Sequence, residues 1–97
     1  MTVIAPLELA EELQTEFVAR GATGFTAFSA KGAGRTALRD RGGPQDVIRI
    51  EVVVANEVAD AIVDFLREDV MPRHRVTACV ETVDVVSPSQ FLEDCSP

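Results

Sequence analysis

The run VIRIEVVV at 47–54 is the tightest constraint in the sequence, because alternation sustained over that length suits an extended chain. Ile48, Ile50, Val52 and Val54 fall on one face of a strand, and Val47, Arg49, Glu51 and Val53 on the other. The second face is mixed rather than polar. A sheet built on this strand therefore expects cover on both sides, the second side from another subunit.

The rest of the chain supplies partners for that strand in a readable order. Residues 2–5 (TVIA) form a short apolar run closed by Pro6, a strand leading into a helix. From Glu8 the period is helical: Leu9, Leu13 and Phe17 share a stripe with Ala10, and Glu8, Glu11, Glu12 and Glu16 take the wet side. Gly21 after Arg20 is a stop signal. Residues 23–29 return to β-formers, with Phe25 and Ala27 on one face and Thr26 and Phe28 on the other. A loop of roughly 16 residues follows at 31–46, with Gly32, Gly34, Gly42, Gly43 and Pro44 and no period. It is longer than a plain connector needs, which points to a function.

After the long strand, Asn56 reads as an N-cap, and Val58, Ala61, Ile62, Phe65 and Leu66 make a helical stripe that Pro72 ends. Residues 75–86 read as the last strand, with Val76, Ala78 and Val80 alternating against Thr77, Cys79 and Glu81. From 87 to 97, Ser, Pro and acids mark a tail. The order β-α-β, loop, β-α-β predicts an α+β, ferredoxin-like domain over 1–86, its loop at 30–46. Two right-handed units make one four-stranded antiparallel sheet with both helices on one face. Such a sheet leaves its other face open in a monomer, and burying it between copies is the natural remedy.

Composition narrows the partners. The chain has 97 residues and a formal charge of −7, with no Trp or Tyr, so nucleic acid is a poor fit. Yet Lys31, Arg35, Arg39 and Arg41 face only Asp40 across 31–41, a basic loop on an acidic body. That pattern suits a small anion or an acidic patch on a partner. No run reaches transmembrane length and no export signal is present, so the expected location is cytoplasmic, without membrane insertion. Two cysteines, Cys79 and Cys95, make neither a disulfide scaffold nor a zinc set; Cys79 reads as packing and Cys95 as a bystander. One histidine, His74, gives no metal site, and no catalytic constellation stands out, so neither enzyme nor prosthetic group is expected.

The segment GATGFTAFSAKGAGR at 21–35 holds the candidate chemistry. Lys31-Gly32-Ala33-Gly34-Arg35 can cradle an anion, since glycines bring backbone N–H groups close to phosphate oxygens and Arg adds charge-assisted bonds. The same residues also suit a flexible basic loop. Thr26, with Gly24 and Phe28 beside it, reads from the residues alone as an ordinary strand residue. Val53 can wall a ligand or pack a core. Arg73, His74 and Arg75 can face an anion or cap the preceding helix, where the dipole favours cations; His74 reads more as the cap, the arginines as ligand contacts. Arg49 and Glu51 are expected to pair across subunits.

The compound pattern Gly21, Thr23, Gly24, Thr26, then Lys31, Gly32, Gly34 and Arg35, followed by IRIEVVVANEVADAIVDFL at 48–66, resembles the PII signal-transduction superfamily over nearly the whole chain. The resemblance implies a homotrimer that binds adenine nucleotides between subunits through Gly24, Thr26, Phe28, Lys31, Gly32, Gly34, Arg35, Val53, Arg73 and Arg75. It also implies a loop, carrying Arg39 and Arg41, that contacts a partner. Departures narrow this. The loop is shorter than the usual T-loop and, with no Tyr in the chain, has no tyrosine switch. DVMPRHR at 69–75 replaces the family's glycine-rich phosphate loop, and Ser87 and Ser89 stand near its terminal basic pair. These losses resemble the PII-like branch tied to inorganic-carbon uptake. That branch implies AMP, ADP or cyclic AMP as ligand, bicarbonate in some members, and a bicarbonate transporter or carboxysome-related protein as partner. Two other classes share the fold: divalent-metal-tolerance trimers, and small phosphohydrolases.

Overall fold

A single apolar row crosses the whole sheet and organises it. In the computed structural model, which describes residues 1–33 and 43–86, Ala27 lies opposite Ile50, Ile50 opposite Val3, and Val3 opposite Ala78. These residues belong to β2 (Thr26–Gly32), β3 (Gln45–Glu51), β1 (Thr2–Pro6) and β4 (Thr77–Cys79), in the spatial order β2-β3-β1-β4. Every pairing is antiparallel. With helices α1 (Ala10–Ala19) and α2 (Asn56–Phe65) between the strands, the fold is the ferredoxin-like βαββαβ arrangement expected from the sequence.

One side of that row is the core. Val3, Ala5, Ile48, Ile50 and Val52 from the sheet cluster with Leu9, Leu13, Phe17, Ile62, Phe65, Leu66 and Val70. Each large side chain so buried contributes about 1.5–3 kcal/mol before entropy is counted. Arg20 closes the helical layer from the end of α1: its guanidinium lies 4.0 Å from the Phe65 ring centre and pairs with Glu16 one turn back. The other sheet face, with Ile4, Phe28, Val47 and Arg49, has no helix over it, and Phe28 is exposed.

Gly21 ends α1 as expected, and the reason is geometric. Its φ is +118°, which L side chains avoid. The Gly21 N–H donates to the Val18 carbonyl and the Ala22 N–H to Phe17, the paired bonds of a Schellman stop, and Ala22 tucks into the core. A Cβ at Gly21 would also meet a Val58 methyl at 3.0 Å.

Several boundaries differ from the sequence reading. β2 and β3 extend into the expected loop, pairing Lys31 with Asp46 and Gly32 with Gln45, so the hairpin stem is longer and the loop shorter than 30–46. Phe25 precedes β2 and is exposed, so it does not share a strand face with Ala27. β3 stops at Glu51, although the Val52 N–H still donates to the Met1 carbonyl. α2 begins at Asn56 itself. Ala55, extended at ψ 160°, holds the cap position without a side-chain bond, so Asn56 is not the N-cap. After Phe65 the helix widens into a π turn at Leu66–Val70, which buries Leu66 and Val70.

The largest difference is the last strand. Only Thr77–Cys79 pairs, because the register sets Cys79 opposite Thr2 and later residues run past the first residue of β1. Residues 80–86 are not part of the sheet, and Val80 and Val83 are more than half exposed. Cys79 is exposed too, since Ala78 takes the core side. Gly34, Arg35, Arg39, Arg41, Cys95 and the 87–97 tail lie outside the described residues.

Two substitutions should separate the backbone and packing terms in urea unfolding. Ile50→Ala should cost about 2–5 kcal/mol through the cavity it leaves. Gly21→Ala should cost about 1–3 kcal/mol through its backbone conformation and the Val58 contact.

Candidate functional site

The site lies where four segments meet at one end of the sheet: the ends of β1 and β2 and the starts of β3 and β4. Antiparallel pairing of β2 with β3 brings Gly32 opposite Gln45. The connection from α2 to β4 arrives at the same end. It is anchored by the Val70 carbonyl, which accepts from the Arg73 N–H at 3.0 Å and the His74 N–H at 2.9 Å. A cleft of about 560 Å³ results, with Gly32, Ala33 and Asp46 on one side and Arg73, His74 and Arg75 on the other. Ile4, Pro6 and Val47 contribute an apolar wall, and Glu8 reaches it from the turn before α1.

The electrostatics of this cleft are mixed. Arg73 and Arg75 are exposed and make no ion pair among the described residues, so two guanidinium groups are available to an anion. His74 is half-buried between them in sequence and lines the same cleft. Lys31 is already engaged: its Nζ donates to Asp46 Oδ1 at 2.5 Å across the ladder. Gly32 fits for steric reasons, because a Cβ there would stand 3.3 Å from a Val47 methyl.

The other expected ligand residues are not in this cleft of the single chain. Thr26 lies opposite Glu51 at the far end of β2, roughly 20 Å from Gly32 at strand rise. Gly24 precedes it, and Phe28 sits on the open sheet face, its ring centre 5.9 Å from the Arg49 guanidinium. Arg49 Nε in turn donates to Glu51 Oε2 at 3.1 Å along the same strand. Val53 lines a second cleft of about 270 Å³ with Met1, Val54, Asn56 and residues of 80–85. Gly34 and Arg35 lie outside the described residues. Sequence reasoning missed the two carboxylates, Glu8 and Asp46. A longer hairpin stem, signalled by the opposite charges of Lys31 and Asp46, would have exposed the second.

Two comparisons bear on this geometry. The family model described as nitrogen regulatory protein P-II matches residues 1–90. The chain belongs to the P-II family. A crystal structure of a PII-like signalling protein from Thermus thermophilus is 34% identical, with a TM-score of 0.78 over 93% of this chain and 90% of that one. No curated protein sequence gives a significant match. P-II proteins are homotrimers that bind nucleotides and regulate partner proteins, so a signalling role is the function the family supports. No helix among the described residues is long and apolar enough to cross a membrane. Among those residues there is also no group of three or more His, Cys, Asp or Glu placed to hold a metal ion.

The Lys31–Asp46 pair is well exposed, with side-chain accessibilities of 72% and 60%. Such pairs contribute about 0–1 kcal/mol. Lys31→Gln should accordingly shift the unfolding free energy by less than about 1 kcal/mol in urea titration.

Proposed function

We propose that this chain is a PII-like regulator that senses adenine nucleotides, taking AMP, ADP or cyclic AMP in preference to ATP, with bicarbonate as a further ligand. It acts by binding rather than catalysis, in the cytoplasm. The carrying observation is the cleft at the root of the loop that follows β2, where Gly32 faces Arg73 and Arg75, which make no ion pair among the described residues. Guanidinium forks suit phosphate oxygens, and a glycine edge lets them approach the backbone. Because the cleft adjoins the loop, a bound phosphate can bias the loop's conformation. That couples ligand to a partner, for which a carbon-uptake protein such as a bicarbonate transporter or a carboxysome component is the reading taken from the sequence.

Assembly completes the site in this proposal. Thr26, Phe28 and Val53 lie away from the arginines of their own chain, and a homotrimer lets one subunit supply a base-binding edge and its neighbour the phosphate end. The open sheet face, with Ile4, Phe28 and Val47, and the exposed valines of 80–86 favour such contacts.

Calorimetric titration of AMP, ADP, cyclic AMP and ATP, with and without bicarbonate, should show binding strongest for the less charged nucleotides. Arg73→Glu with Arg75→Glu, and separately Arg35→Glu, should weaken it about tenfold or more. Wild type without affinity for any nucleotide, or affinity indifferent to both charge reversals, overturns the reading. Light scattering at micromolar concentration should report a trimer; a monomer would remove the shared-cleft arrangement.

A further inference from the structure

We infer that Asp46 limits how much negative charge the cleft accepts, which makes it a specificity-determining residue. The inference rests on the nucleotide reading above and concerns its charge preference. Two cations, Arg73 and Arg75, and two carboxylates, Glu8 and Asp46, line the cleft; Lys31 stands next to Gly32 in sequence and reaches the cleft through its ion pair with Asp46. Asp46 differs from Glu8 in its position: it is the cross-strand partner of Lys31 and holds that ammonium at 2.5 Å. Directly opposed residues on antiparallel strands are close enough for this contact to persist without help from the loop.

The pair's exposure leaves it little value for stability, so its main effect is on the local field. With Asp46 ionised, the lysine at the root of the glycine-rich loop presents little net charge to an incoming ligand. Each additional phosphate charge then meets Asp46 as a repulsion and gains little from Lys31. A monophosphate seated on Arg73 and Arg75 loses little by this, whereas the outer phosphates of a triphosphate lose most.

The test compares ATP with AMP affinity by calorimetry in magnesium-free buffer, for the full chain. Asp46→Asn should raise the ATP/AMP affinity ratio about three- to tenfold at low ionic strength, and the gain should shrink as salt screens it. Lys31→Gln should move the ratio the opposite way, and Lys31→Gln with Asp46→Asn should return it close to wild type. Asp60→Asn, on the exposed side of α2, removes the same formal charge elsewhere and should leave the ratio unchanged. An unchanged ratio in Asp46→Asn, or an equal rise in Asp60→Asn, overturns the role of Asp46 while nucleotide binding by wild type stands. Failure of wild type to bind any nucleotide instead overturns the proposed function itself.

Discussion

The register of β1 against β3 governs the rest of the molecule. Setting Val3 opposite Ile50 puts the fully buried residues of both central strands on one face, under the helices. A slip by one residue would turn Ile4 and Arg49 inward and expose the core set. The outer strands inherit this choice, β2 through Ala27 and β4 through Ala78. The same register delivers Gly32, Asp46 and the residues after Val70 to one end of the sheet. Core packing and cleft geometry therefore have one cause.

This coupling explains why a small chain can present a polar cleft without weakening its core. Among the described residues, no buried side-chain polar atom lacks a hydrogen bond, and the core contains no buried polar or charged residue. The charged groups of the site sit on strand ends and on the turn held by the Val70 carbonyl. Changes of charge there can therefore alter ligand preference with little effect on folding.

The sequence made the architecture legible because its periods were clean. Alternation in 47–54 and the helical stripes fixed the layers, and Gly21 marked its stop through a backbone conformation other residues avoid. Boundaries were less legible where pairing decides them. Lys31, Gly32, Gln45 and Asp46 look like loop until β2 and β3 are placed side by side, and 80–86 look like strand until Cys79 is set opposite Thr2, the first residue of β1. For the site, Gly32, Arg73 and Arg75, singled out along the sequence, line one cleft. Asp46 was not singled out, because only the cross-strand register connects it to Lys31. The separation of Thr26 and Val53 from the arginines also escaped a reading along one dimension.

The run at 80–86 also bears on how the chain meets other chains. It is rich in β-branched residues, and Val80, Val83 and Val86 are exposed. Segments of this kind invite indiscriminate strand pairing, and Glu81 and Asp84 interrupt the apolar run as charged gatekeepers. The two acids thus favour orderly association over aggregation.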